Sequence, residues 1–229
     1  MSYIHKISSQ KEVVILMDTT YWGRNFGLMI IKDAFRNKIL WYKFVRSETI
    51  ADYREGVNWL VEHRFKIYGI VCDGTRGLFK EFKRYPMQMC QFHMIMIIRR
   101  YLTNRPELQA SKELYWIVHK LAKTDSRTFK DLLDQWVITW DQFLKERTQD
   151  KRTGKTNYTH QNLRKAYNSL KYYTPYLWTF EKYPHLHIPN TNAGVESLNS
   201  KLKTMLRVHS GISKSRRMKL IQEYIARKY

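Results

Sequence analysis

Val13-Val14-Ile15-Leu16-Met17 is a continuous apolar run, rich in β-branched residues, that gives way to Asp18. Such a run predicts a strand buried on both faces, ending on a carboxylate. Gly27 to Ile31 and Ile39 to Val45 predict two more strands, separated by the polar segment Lys32 to Lys38, as in an antiparallel meander. Ser47 or Thr49 can then cap a helix, because Ile50, Tyr53, Val57, Leu60 and Val61 recur at helical spacing. Ile67 to Cys72 predicts another buried strand, and it too meets a carboxylate, Asp73, followed by Gly74 and a short helical stretch. Met87, Met89 and Gln91 alternate with Gln88, Cys90 and Phe92 in a fifth short strand, closed by His93 before an apolar helix from Met94 to Leu102.

The order βββαβαβα predicts an α/β fold: a mixed sheet flanked by helices, the general plan of a ribonuclease H-like domain. From Glu107 to about Phe180 the pattern turns helical and carries Trp116, Trp136, Trp140 and Trp178, which predicts an all-helical insertion. Within it, the polar and basic segment Lys145 to Asn157 reads as an exposed loop. Tyr183 to Asn192, with Pro184 and Pro189, returns the chain to the core. The expected organisation is a catalytic core from residues 1–104 and 184–229 interrupted by a helical insertion over 105–183. In the last informative helix, from Ala193, the residues Val195, Leu198, Leu202 and Leu206 form one apolar stripe, and Glu196, Ser200, Lys203 and Arg207 share the neighbouring face.

Charge changes the picture. Lys and Arg number 41 against 20 acidic residues, a formal net charge of +21, more than solubility requires, and it points to a polyanionic partner. The alternative, a generally basic surface without a ligand, is countered by the distribution: from Ser197 to Tyr229 the cations, among them Lys201, Lys203, Arg207, Arg216 and Arg217, are opposed only by Glu223. The 43% apolar residues suffice for a real core. Cys72 and Cys90 are too few for a disulfide scaffold, no apolar run approaches a membrane span, and Met1 to Glu12 lacks the apolar stretch of a secretion signal. A cytoplasmic, reduced protein is expected.

Phosphodiester cleavage by two divalent ions needs hard oxygen ligands that converge on both, and Asp18, Asp73 and Glu196 could supply them. If the two Asp-bearing strands are neighbours, both carboxylates lie at one sheet edge, with Glu196 arriving from a helix packed over it. Taken singly, each Asp is more often a turn or cap residue and Glu196 a solvated first-turn glutamate. No covalent nucleophile is evident, and Cys72 reads as core packing. Zinc on Cys90 and His93 would require two further ligands, which the spacing of the other histidines does not supply, so structural zinc is not expected. Gly74-Thr75-Arg76-Gly77 lacks the Gly-x-x-x-x-Gly-Lys pattern of a nucleotide-phosphate loop.

Three stretches, Met17-Asp18-Thr19-Thr20-Tyr21-Trp22-Gly23, Cys72-Asp73-Gly74-Thr75-Arg76-Gly77-Leu78 and Thr191-Asn192-Ala193-Gly194-Val195-Glu196-Ser197-Leu198-Asn199, carry a resemblance. Together with Cys90-Gln91-Phe92-His93 and Leu206 to Ser213, they resemble the catalytic region of Mutator-like bacterial insertion-sequence transposases, a DDE-type family with a ribonuclease H-like core. The resemblance covers nearly the whole chain. It implies cut-and-paste transposition by Asp18, Asp73 and Glu196 on two Mg²⁺ (or Mn²⁺) ions, with double-stranded DNA as partner. Arg76, Lys201, Lys203, Arg207, Arg216 and Arg217 would contact DNA, Cys90 and His93 would be the family's Cys-x-x-His pair, and a homodimer would process the two ends. It further implies a bacterial, nucleoid-associated protein. The family's N-terminal end-reading module has no counterpart in the dozen residues before the first strand, which leaves open a truncated reading frame, the second product of a split gene, or a core that works with a separate end-recognition protein. A transposase-derived DNA-binding protein without transposition activity and a ribonuclease H-like nuclease stay open as alternatives.

Overall fold

The computed structural model describes residues 11–229. The expectation of a signal-free N-terminus therefore falls largely on residues 1–10, outside the described residues. Five strands, β1 (Glu12–Tyr21), β2 (Gly27–Asp33), β3 (Ile39–Val45), β4 (Lys66–Cys72) and β5 (Met87–Met89), form one sheet in the order β3-β2-β1-β4-β5. The first three pair antiparallel, and β4 and β5 add in parallel on the other side of β1. This is a mixed α/β architecture, its mixed sheet flanked by helices, as the element order predicted.

The sheet separates two apolar clusters, and β1 feeds both because successive side chains point to opposite faces. Val13, Ile15 and Met17 belong to one cluster; Val14 and Leu16 belong to the other. Burial of both faces is why the run is continuous rather than alternating. On the first face, α1 (Ile50–Glu62), α2 (Arg76–Glu81) and α3 (Gln91–Leu102) pack with α4 (Gln109–His119), α5 (Ser126–Lys145), α6 (Gln161–Leu177) and the short α7 (Thr179–Lys182). The tryptophan-rich region does not sit apart: Phe129, Trp136, Leu170 and Trp178 share one buried cluster with Ile15, Met17 and Cys72 of the sheet. The second face is covered by α8 (Ala193–Val208) and α9 (Lys214–Lys228) through Val195, Leu198, Leu202, Leu206, Ile221 and Ile225. Thr49 caps α1, its hydroxyl accepting the Asp52 N–H at 3.1 Å.

Four expectations are corrected. The insertion is not all helical, because the segment expected to be a loop from Lys145 to Asn157 forms, with Tyr158, a hairpin of β6 (Arg147–Gln149) and β7 (Thr156–Tyr158). Its exposed three-residue strands have no apolar alternation to reveal them. The turn forms because Asp150 Oδ1 accepts the N–H groups of Arg152 and Thr153, and Gly154 takes a φ of +68° that side-chain-bearing residues avoid. Strand β2 continues through Lys32 and Asp33, both buried: Lys32 Nζ donates to Gly194 O at 3.1 Å, and Asp33 pairs with Arg36 at 2.9 Å. Strand β5 stops at Met89, and Cys90 is the cap of α3, so His93 lies in a helix's first turn instead of closing a strand. Finally, β1 does not end at Asp18 but runs on to Tyr21, with Asp18 paired to Ile30.

Candidate active site

Register brings the two aspartates together. The last parallel pair between β1 and β4 is Leu16 with Val71, so Asp18 and Asp73 each lie two residues farther along neighbouring strands. Adjacent strands run about 4.8 Å apart, and the period of two sends the Asp18 side chain to the face of Leu16, the side that α8 covers, while Asp73 follows directly on the end of β4 at Cys72. Asp18 is 9% exposed. Asp73 caps its own turn, Oδ1 accepting the Thr75 N–H at 3.1 Å, as the bland reading of a strand-end aspartate holds.

Glu196 comes from the first turn of α8, whose start is fixed by Asn192. That fully buried side chain donates to Met17 O at 2.7 Å, its N–H reaches Cys90 Sγ at 3.3 Å, and its carbonyl accepts the N–H groups of Val195 and Glu196. One residue therefore ties the helix to the peptide preceding Asp18 and to the end of β5. One turn on, Asn199 Nδ2 donates to Asp18 Oδ2 at 2.7 Å. Gly194 lets α8 approach this closely, because a Cβ there would stand 3.1 Å from Leu16 Cδ1.

Glu48 joins the group from the residue before the α1 cap. It accepts a 2.6 Å hydrogen bond from the Tyr53 hydroxyl, which lies 2.9 Å from Thr19 Oγ1 beside Asp18. Burial raises the Glu48 pKa, and the charge of Asp73 adds to that rise. For Asp18, burial comes first, and the like charges of Asp73, Glu48 and Glu196 follow, so its carboxyl is pushed up to about 8. Asp18 thus feels the like charge of three other carboxyl groups and Glu48 that of Asp73, and a divalent cation would relieve this repulsion.

Asp18 and Glu196 open onto a cleft of about 540 Å³, lined also by Thr19, Thr20, Phe92, His93, Asn199, Ser200, Lys203, Thr204 and Arg207, whereas Asp73 and Glu48 are not part of its lining. Comparison with protein-family models, curated proteins and solved structures finds no match.

Of the residues expected to meet DNA, the cleft brings in Lys203 and Arg207. Arg76 lies outside it, its guanidinium over the Tyr172 ring at 4.8 Å. Lys201 projects from α8 to solvent, and Arg216 and Arg217 sit on α9; none of the three lines the cleft. Cys90 and His93 meet Glu196: its Oε1 lies 3.7 Å from Cys90 Sγ and 3.6 Å from His93 Nδ1. Glu48, Asn192 and Asn199 were not singled out from sequence. The two asparagines had a signal, since Asn192, Glu196 and Asn199 fall at i, i+4 and i+7, one helical face.

Proposed function

We propose that this chain is the catalytic core of a DNA-processing enzyme of the DDE transposase type, built on a ribonuclease H-like plan. The observation that carries the reading is the electrostatic influence of Asp73, Glu48 and Glu196 on Asp18, with Asp18 and Glu196 lining a cleft that also takes in Lys203 and Arg207. A meander of three antiparallel strands followed by two parallel ones, with the acids at the β1/β4 register, supports the plan.

The acids suit two Mg²⁺ or Mn²⁺ ions. They offer hard oxygen donors; burial is the main reason the Asp18 carboxyl stands at about 8, and a cation would offset the further rise from Asp73, Glu48 and Glu196. Bound divalent ions would supply Lewis acidity to the attacking and leaving oxygens of an in-line phosphodiester displacement. Asp18 and Asp73 are fixed by strand register, and Glu196 by the Asn192 anchor. Asn199 holds the Asp18 carboxylate in orientation through its 2.7 Å hydrogen bond. Lys203 and Arg207 bind the DNA backbone, giving salt-sensitive affinity with little sequence dependence. No protein nucleophile is required, because water cuts the first strand and the exposed 3′-OH attacks the target. Double-stranded DNA is the partner, and a homodimer would pair the two ends, in a bacterial nucleoid.

The test is an Mg²⁺-dependent cleavage and strand-joining assay on the gene's flanking terminal repeats, with wild type, Asp18→Asn, Asp73→Asn and Glu196→Gln. The reading expects activity in wild type and its loss in all three variants. Equal activity in all four would sink the catalytic assignment, and cleavage without joining would favour a nuclease.

A further inference from the structure

Cys90, His93 and Glu196 bring three different ligand types to one point. Their ligating atoms all lie within 4.8 Å of one another. Sulfur and carboxylate oxygen are 3.7 Å apart, and Nδ1 and the same oxygen 3.6 Å apart. Around a tetrahedral zinc ion, bond lengths of about 2.3 Å to sulfur and about 2.0–2.1 Å to nitrogen and oxygen place S···O near about 3.5 Å and N···O near about 3.3 Å. The two pairs that include the Glu196 oxygen therefore need to close by only a few tenths of an ångström, and the sulfur–nitrogen pair, within 4.8 Å, by at most about 1.3 Å, to share an ion.

The surroundings fit a ligand set. Cys90 is the N-cap residue of α3 and its sulfur accepts the Asn192 N–H at 3.3 Å; burial pushes the free thiol up to about 12, against the lowering by these backbone N–H groups, so the thiol keeps its proton until a metal displaces it. His93, three residues on along the same helix face, has an Nδ1 that is buried without a hydrogen-bond partner. An unpaired imidazole nitrogen directed at a thiol and a carboxylate is costly unless something binds there. Both His93 and Glu196 line the cleft, which leaves a fourth coordination position open to it.

We propose that Cys90, His93 and Glu196 form a second cation site, selective for a borderline divalent metal of the zinc class. Mg²⁺ demands oxygen ligands and would not choose a sulfur and an imidazole, whereas zinc takes both. Binding forms the sulfur–metal, nitrogen–metal and oxygen–metal bonds and releases the thiol proton to solvent, with no redox change. One thiolate and one carboxylate balance the charge of the ion. The sequence had seemed to lack further ligands for this Cys-His pair, and the fold supplies one from 103 residues downstream of His93, at Glu196.

A consequence follows that rests on the proposed function. The Glu196 oxygen that zinc would take is then withdrawn from Asp18 and Asp73, so zinc occupancy switches the hard-ion site off.

The test titrates Co²⁺, a spectroscopic stand-in for zinc, into the chelator-treated full-length chain. The expected result is one equivalent bound with a thiolate-to-cobalt charge-transfer band, displaced by Zn²⁺. The band should vanish in Cys90→Ser, and Co²⁺ affinity should fall at least about tenfold in His93→Ala, the least that loss of even an outer-shell partner produces. Asp18→Asn and Asp73→Asn should keep the band. Absence of the band from wild type, or its persistence in Cys90→Ser, overturns the site and leaves Cys90 and His93 as supports that merely position Glu196. Stoichiometric Zn²⁺ should also suppress Mg²⁺-dependent cleavage at least about tenfold, reversed by chelation. Cobalt binding without any Mg²⁺-dependent cleavage would refute the transposase reading while the zinc-class site stands; cleavage that Zn²⁺ leaves untouched refutes the switch.

Discussion

Replacing Asp18 by Asn should remove activity and make the metal-free protein more stable at neutral pH. In the native chain burial, reinforced by Asp73, Glu48 and Glu196, moves the Asp18 carboxyl from 3.8 to about 8. Between those values the folded chain keeps a proton that the unfolded chain has lost, so the unfolded state binds fewer protons and stability falls as pH rises. At 1.36 kcal/mol per unit, the cost accumulated by pH 7 is about 4 kcal/mol. Relaxation and water entry lower this, so a gain of about 2–4 kcal/mol is expected for Asp18→Asn, or roughly 5–15 °C in Tm for a chain of this size. The asparagine oxygen can still accept from Asn199, so the substitution leaves that hydrogen bond in place. Urea unfolding in chelator at pH 5, 6, 7 and 8 measures it. The wild-type stability should decline across the series and the gap to Asp18→Asn should widen towards pH 8. Excess Mg²⁺ should then stabilise wild type selectively and close the gap. Parallel pH profiles for the two proteins, or a variant no more stable than wild type at pH 8, would refute the account of Asp18 as a strained carboxyl among like charges.

Asn199→Leu removes the donor to the buried Asp18 carboxylate and should cost about 1–3 kcal/mol in urea unfolding; an unchanged midpoint would show that the bond carries no weight. Phe129→Ala, at a fully buried ring 4.9 Å from that of Trp178, should cost about 3–5 kcal/mol, with a single cooperative transition if the helical segment and sheet form one core. Two separate transitions would count against that continuity. Lys203→Ala and Arg207→Ala should each flatten the salt dependence of binding to plain duplex DNA by a slope of about 0.9, with little change in sequence preference. An unaltered slope would remove the cleft rim from the DNA path.

The strands were legible because the sheet is buried on both sides, which leaves long apolar runs in the sequence. The stripe of Val195, Leu198, Leu202 and Leu206 was equally plain, because one helix face meets one sheet face. Lys32 and Asp33 hid the end of β2, since the partners that let them be buried, Gly194 and Arg36, cannot be read from strand composition. The hairpin of β6 and β7 was invisible because turn hydrogen bonds at Asp150 and the packing of Arg147 and Arg164 on the Tyr158 ring hold it, and no apolar alternation marks it. At the site, the placement of Asp18 on the first buried strand, Asp73 just past the next and Glu196 in a helix's first turn was legible from the pattern. Asn192 and Asn199 act on Met17 and Asp18 across most of the chain, and Glu48 depends on Tyr53 for its place, so their roles emerge only when the fold closes.

The alternation of β1 between two apolar clusters leaves the strand with an ambiguity that hydrophobicity cannot resolve. A slip of one residue against β2 would exchange Val13, Ile15 and Met17 for Val14 and Leu16, one greasy set for another, at little cost in burial. It would also drive Asp18 into the cluster of Met94, Leu78 and Tyr53, far from Asn199 and from any cation the acids could share. The charge that lowers the stability of the correct register is thus the one that makes the wrong register far worse. A variant with an apolar residue at position 18 would lose more than a ligand: it would lose the mark by which the sheet tells its two sides apart.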